Sequence, residues 1–560
     1  MPSFADHSAA HGSLVQRIER SALAGRAVTF VVGGNEDVTS WSNIHEEAKG
    51  YAAALQARGV GPGDHVALLS PTTRPLVSAI QATWLTGATL VVLPLPMRLG
   101  SIEEFVAQTR QRIHHADAKV VIVDPELAPF VTPEPGDPPM LEIGELDSGD
   151  ASAWVRPADD PERLAILQFT SGSTADPKGV MLPDRAVCAN LDGIAAAARL
   201  DPEADVLVSW LPLYHDMGLV GLLILPMSTG TPLVLGAPQD FTSRPSRWME
   251  WISTYGGTAT AGPNFSYVLA TRALKNGEQL DLSSLRVALN GAEPIDADNM
   301  EDFVRAGERH GLRPGSVFPA FGMAEVSIGG TFPEPMRGMV TDCVDRRVLE
   351  TERYAAPVED ASPGSRRFAL LGRAVPGLEI RIVDPETGAV LKDREVGELE
   401  IRGTSVTTGY YKRPDANAEL FHEGWLCTGD LAYTLDGELV VCGRIKDVII
   451  VGGRNVLPED VERAVGQVEG VRAGNVIAFG GVGARGREAL VVVAETRADD
   501  FADLRHRVAE RVVEAVGVPA RDIVLVTPGT LPKTSSGKLQ RSLCKRRYDD
   551  GQLELVDADA

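Results

Sequence analysis

The chain is short of cysteine and of positive charge, and each shortage narrows what it can be. Its 560 residues include only five cysteines, at 188, 343, 427, 442 and 544, with no C-x-x-C pair among them. That scatter argues against a disulfide framework or a thiolate zinc site and suits reduced thiols in a cytosol, so a cytoplasmic location is expected. Lysine and arginine number 54 against 77 acidic residues, a net charge of −23. The balance disfavours nucleic acid or an anionic membrane surface as the main partner, but local loops can still be positive enough for ATP. The first residues carry neither a basic n-region nor an apolar h-region, so no signal peptide is expected. One stretch, 217–239, lacks charge altogether and is long enough for a bilayer crossing. Its centre, from Pro226 to Pro232, reads as a turn that would leave backbone groups unpaired in lipid. Two buried elements flanking a turn are predicted there, not a membrane span. No repeat of fixed period and no low-complexity tract is present.

What the chain does have is length, and 560 residues are too many for one hydrophobic core. Up to about residue 440, helical spacing (41–58, 79–87, 105–116) alternates with short β-branched runs (65–70, 89–94, 119–124). This alternation predicts an α/β fold with helices on the faces of parallel sheets. Over 375–440 the pattern changes to alternating apolar and charged residues around Glu386-Thr387-Gly388 and Asp436-Gly437, the mark of half-exposed antiparallel hairpins. A compact α+β pattern follows: strands at 448–451, 474–479, 489–495 and 522–526, with helices at 458–466 and 502–516. It predicts a small second domain.

The most informative segment is Thr170-Ser171-Gly172-Ser173-Thr174-Ala175-Asp176-Pro177-Lys178-Gly179. Small residues let a backbone approach a ligand closely, the hydroxyls and N–H groups can bond phosphate oxygens, and Lys178 adds a cation. It is not a Walker A loop. A flexible Ser/Gly linker would run on, whereas this loop is bracketed by the apolar runs 164–169 and 180–182. A second hydroxyl- and lysine-rich loop, 532–538, ends in Lys538; read alone it is equally a basic surface turn before a helix. Together, the two suggest a mobile lysine that neutralises charge as a carboxylate attacks a phosphate.

Other segments fit beside them. In 210–218, His215 and Asp216 lie between Pro212 and Gly218, so a loop facing a pocket competes with a satisfied core histidine. Gly291-Ala292-Glu293 and Phe321-Gly322-Met323-Ala324-Glu325 each end in a carboxylate, as an ordinary β-turn also would. A Phe321 face could stack on a purine and Glu325 could hold Mg²⁺. Asp430 and Arg444 could bond ribose hydroxyls. By contrast, Gly481 to Gly486 matches G-x-G-x-x-G but lies between two strands and reads as a hairpin loop.

Taken in order, these motifs resemble the adenylate-forming superfamily of acyl-CoA synthetases, fatty acyl-AMP ligases, luciferases and peptide-synthetase adenylation domains, from about residue 15 to 547. The resemblance implies that Thr170, Ser171, Gly172, Ser173, Thr174 and Lys178 cradle the β- and γ-phosphates of ATP. Gly291, Ala292, Glu293, Phe321, Gly322, Met323 and Ala324 would flank the adenine and α-phosphate; Phe321 and Ala324 stand where many members have tyrosine and threonine. Glu325 would bind Mg²⁺, and Asp430 and Arg444 the ribose. Lys538 would act in catalysis, with His215 a second candidate, and Asp447 matches the hinge between domains 1–446 and 447–560.

Segments 209–219, 261–267 and 282–294 are spelled as in the fatty acyl-AMP ligases. The stretch from Ile328 to Leu371 resembles their insertion, placed here at about 331–370, which in that branch restrains the small domain. Gly452-Gly453 instead matches the CoA ligases, whose paired glycines leave room for a pantetheine arm. The expectation is ATP-dependent adenylation of a hydrophobic carboxylic acid, followed by transfer to the 4′-phosphopantetheine of an acyl carrier protein. The alternatives are a complete synthetase using free CoA and a protein that binds nucleotide without turnover. Met217, Gly262 and Asn264 are the expected acyl-pocket residues, and Gly452 and Gly453 the thiol tunnel. The sequence does not specify an oligomeric state.

Overall fold

The computed structural model describes residues 12–95, 102–170, 178–360, 362, 364–451, 454–482, 488–534 and 538–556. Two mostly parallel sheets form the body of the large N-terminal domain. One has six strands in the spatial order Met140–Glu142, Ala118–Val123, His65–Leu69, Thr89–Val92, Leu164–Phe169 and Gly179–Pro183, with only the last pair antiparallel. The other has seven, running from Val317–Pro319 through Val287–Asn290, Ala259–Gly262, Leu207–Ser209, Leu233–Leu235 and Ala27–Val32 to Asn35–Ser40. Strands such as His65–Leu69 are buried at every position, as a sheet covered by helices on both faces requires. The helices predicted over 41–58 and 105–116 are Trp41–Ala57 and Ile102–His115.

The antiparallel prediction is met by a five-stranded sheet in which Leu378–Val383 pairs with Gly397–Gly403, and Trp425–Leu435 folds back on Glu438–Arg444 through Asp436-Gly437. The small C-terminal domain has its own apolar cluster, including Val461, Val465, Val492, Leu504, Val508 and Leu525. It is built on the three strands Val471–Val482, Glu488–Thr496 and Asp522–Val526.

Between the antiparallel sheet and the small domain sits the segment expected as an insertion. Thr341–Asp345 pairs with Ser365–Ala369, and the helix Arg346–Glu352 lies between them in sequence. Val344, Leu349 and Phe368 pack with Tyr433, Val440 and Leu457. Glu350 is buried and accepts from Arg454, whose Nε lies 3.0 Å away, while its backbone carbonyl accepts from the Asn455 side chain at 3.1 Å. A second buried pair joins Arg366 to Asp460.

The uncharged 217–239 stretch corrects one prediction. Its first half is a continuous coil: the wide i→i+5 helix Met217–Ile224 runs directly into the α-helix Leu225–Thr229. Pro226 therefore falls inside a helical run, just past the point where the i→i+5 helix gives way to the α-helix. The reversal is confined to Gly230–Pro232, closed by the N–H groups of Gly230 and Thr231 donating to Pro226 O. Among the described residues, no helix is long and apolar enough to cross a membrane.

Candidate active site

The expected site residues gather at the carboxyl ends of the parallel strands, where loops leave a sheet and ligands commonly bind. Thr170, Lys178, His215, Met217, Asn264, Gly291, Ala292, Glu293, Phe321, Gly322, Met323, Ala324, Glu325, Asp430, Arg444, Asp447 and Lys538 all border one cleft of about 2890 Å³. Ser171, Gly172, Ser173, Thr174, Gly452 and Gly453 lie outside the described residues.

The phosphate-loop expectation rests on a hairpin. Phe169 pairs with Gly179, and the Thr170 N–H donates to Lys178 O at 3.0 Å, closing the base of the loop. The Lys178 ammonium lies 4.7 Å over the ring of Tyr410, a cation–π arrangement. The hydroxyl of the same tyrosine donates to Glu325 Oε1 at 2.7 Å. Tyr410 therefore touches both the loop lysine and the expected metal ligand. Sequence reading missed it, because Gly409-Tyr410-Tyr411 carries no charge and the contact spans 85 positions.

On the nucleotide side, strand Val287–Asn290 delivers Gly291 and Ala292, and Ala292 adopts a left-handed φ of 70°. The bend brings the half-buried Glu293 carboxylate to the Phe265 N–H, which donates at 2.7 Å. Phe321-Gly322 pairs with Gly329–Phe332. Here glycine is required, since a Cβ on Gly322 would stand 2.0 Å from Ile328 O. The single turn Ala324–Val326 ends at Ser327, whose φ of 75° marks a strained bend that aims Glu325 inward.

Asp430 and Arg444 face one another in register on adjacent strands, with Arg444 Nε 3.0 Å from Asp430 Oδ1. Burial pushes the Asp430 carboxyl up to about 6; Arg444 pulls against that and Glu325 adds to it. A buried carboxylate beside an arginine offers two acceptor oxygens, which suits paired hydroxyl donors.

His215 Nδ1 lies 2.5 Å from Asp216 Oδ1. Burial alone would raise the Asp216 carboxyl, but His215 and Lys538 outweigh it and hold it below its ordinary value. Lys538, on the small domain, is lowered by burial, while Asp216 and Glu293 favour its charged form. The field of the lysine thus links the two domains across the cleft.

One apolar arm of the cleft is bordered by Met217, Gly221, Leu222 and Leu225 on one side and by Asn264, Phe265, Val268 and Leu269 on the other. Gly221 leaves open space where a side chain would stand. Gly262, expected in this pocket, does not border it: its α-carbon packs towards Ser266 Oγ and the Trp248 ring, so it serves close packing instead.

Glu325 has one oxygen committed to Tyr410, and among the described residues no group of three His, Cys, Asp or Glu could hold an ion. One carboxylate is nevertheless a fitting partner for Mg²⁺, which keeps several waters and binds through one or two carboxylates plus substrate phosphates.

Comparison with known proteins agrees with this geometry. The family model "AMP-binding enzyme" matches residues 18–411. "Putative ligase Rv1013" of Mycobacterium tuberculosis (strain ATCC 25618 / H37Rv) is 40% identical over 531 residues, covering 93% of this chain and 97% of that protein. The medium-chain-fatty-acid–[acyl-carrier-protein] ligase JamA of Moorena producens is 30% identical, with 97% and 96% covered. A solved structure from studies of fatty acyl-adenylate ligases of E. coli and L. pneumophila superposes with a TM-score of 0.90 at 33% identity, covering 98% of this chain and 99% of that one. The two-domain architecture, the convergent cleft and these likenesses together make the chain a member of the AMP-binding enzymes, the adenylate-forming ligases.

Proposed function

We propose that the protein joins a hydrophobic carboxylic acid to AMP and passes the acyl group to the phosphopantetheine thiol of a carrier protein. The carboxylate oxygen attacks the α-phosphorus of ATP, the bond to the β-phosphate breaks, and pyrophosphate leaves with that electron pair. Lys538 neutralises the charge that gathers between the carboxylate and the α-phosphate. Lys178 and the loop around Thr170 hold the β- and γ-phosphates, and Glu325 holds Mg²⁺, which screens them. Asp430 and Arg444 orient the ribose beside Phe321. His215, paired with Asp216, borders the position of the incoming carboxylate. The observation that carries the reading is that Lys538, from the small domain, borders the same cleft as Asp216 and Glu293 of the large one. A thiol then attacks the acyl carbon, and AMP departs after the domain 447–560 swings about Asp447.

The segment 331–370 supports a carrier protein as acceptor over free CoA. Its Glu350 and Arg366 hold Arg454 and Asp460 and so restrain the small domain. Gly452-Gly453 favours the second reading, a complete CoA synthetase.

The test is Lys538→Ala in carboxylate-dependent ATP–pyrophosphate exchange. Exchange should fall at least about 100- to 1,000-fold, the effect of one preorganised donor, while transfer from supplied acyl-adenylate persists. Normal exchange in the variant would sink the assignment. Parallel assays with free CoA and a pantetheinylated carrier protein decide the acceptor.

A further inference from the structure

Three residues beyond Lys538, the Arg541 guanidinium meets three carboxylates. Nη1 lies 2.8 Å from Asp447 Oδ2, Nη2 2.7 Å from Glu459 Oε1 and 2.9 Å from Glu462 Oε2, and Nε 2.8 Å from Glu462 Oε1. Glu459 and Glu462 stand on the helix Pro458–Val465 of the small domain. Asp447 closes the turn Ile445–Asp447, directly after the strand that carries Arg444 opposite Asp430. One planar fork therefore reaches from the small domain to the end of the antiparallel sheet.

The chain between Lys538 and Arg541 is held tightly. Lys538 N donates to Thr534 Oγ1 at 3.1 Å, Gln540 N donates to Pro532 O at 3.0 Å, and Lys533 bridges Leu539. A shift of Arg541 is carried to Lys538. Glu459 and Glu462 hold Arg541 to the helix Pro458–Val465 of its own domain, and Asp447 is its one partner at the end of the antiparallel sheet.

We propose that Arg541 is a positioning residue: it ties the Lys538 turn to Asp447, and the lysine reaches the reacting groups only while that pair is made. The inference rests on the adenylation role given to Lys538 above. Rotation of the small domain about Asp447 would break the one contact and leave the other two intact. A guanidinium is suited to this, because its rigid set of N–H donors serves three carboxylates at once, whereas an ammonium cannot reproduce the fork.

Two variants test it. Asp447→Ala leaves the bonds to Glu459 and Glu462 in place, and Arg541→Lys keeps the charge but loses the fork. Each is assayed for pyrophosphate exchange with dodecanoic acid, for consumption of supplied dodecanoyl-adenylate by pantetheine, and for melting temperature. Exchange kcat should fall about 10- to 100-fold in each, the scale of a small misplacement of a reacting group. KM for ATP should stay unchanged in both, and consumption of the adenylate should stay unchanged in Arg541→Lys; Asp447 is also the hinge, so its variant is read on exchange and melting temperature. The double variant should be no worse than the poorer single one, because both break the same contact. Additive losses, or parallel loss of both half-reactions with melting temperature, overturn the proposal. A wild-type protein without exchange would instead overturn the function on which it rests.

Discussion

Replacing Asp430 with asparagine should stabilise the nucleotide-free protein while weakening its hold on ATP. The side chain is 6% exposed, and burial lifts its pKa from 3.8 to about 6 against the pull of Arg444. A native pKa above the unfolded one means that folding penalises the ionised form. Below about pH 4 both states are protonated and the penalty vanishes; above about pH 6 the native state bears it in full. At 1.36 kcal/mol per pH unit the penalty is on the order of 3 kcal/mol. Asparagine removes the charge at nearly constant volume, and Arg444, with 51% of its side chain in solvent, stays hydrated without its partner. The assay is urea unfolding of both proteins, without nucleotide, across that pH range. The variant should be more stable by about 3 kcal/mol near neutral pH, with the gain shrinking to nothing near pH 4. Equal stability at neutral pH, or a gain that persists in acid, refutes the reasoning. In the same variant KM for ATP should rise.

Tyr410→Phe keeps the ring under Lys178 but removes the donor to Glu325. Losing a hydrogen bond to a buried charge, about 1.5–3 kcal/mol, should raise KM for ATP and shift the Mg²⁺ requirement about tenfold or more, and an unchanged Mg²⁺ titration would reject the link. Gly221→Leu fills open space in the apolar arm at the expense of roughly three substrate methylenes. At about 0.8 kcal/mol each, kcat/KM for the longest acids should drop roughly 60-fold while short acids are spared; an unaltered chain-length profile would remove this arm from acyl binding. Glu350→Gln cuts the charge pair to Arg454 and should raise thioester formation with free CoA, so CoA activity no higher than wild type would show that the segment does not restrain the small domain.

Where local pattern carries the information, the sequence was readable. Alternation of helical and β-branched runs announced the parallel sheets, and Asp436-Gly437 announced the hairpin that sets Asp430 opposite Arg444. Several expected site residues sit in short motifs because they follow a strand end, as Thr170 follows Leu164–Phe169 and Gly291 follows Val287–Asn290. What escaped detection is what the fold assembles from afar. Tyr410 meets Glu325 across 85 positions, and Arg541 meets Asp447 across 94. Gly262 was misjudged for a related reason: a glycine beside pocket residues reads as space for a ligand, and only the third dimension shows Trp248 and Ser266 already there. The turn expected from Pro226 to Pro232 is shorter than its sequence suggests, because the helix runs on through Pro226 to Thr229 and the chain reverses only at Gly230–Pro232 before the strand Leu233–Leu235.

The coil Met217–Ile224 has an evolutionary consequence. In an α-helix, five residues advance the direction by 140°, so Leu222 would point away from the face of Met217. In the wider i→i+5 coil, where the Leu225 N–H reaches back to Val220 O, Leu222 and Met217 both border the cleft. Deleting a single residue would let the segment rewind as an α-helix and withdraw one apolar wall without changing any side chain. Lineages sharing this architecture thus have a route to new acids that an aligned column of substitutions would never reveal, through gain or loss of one residue in a helix.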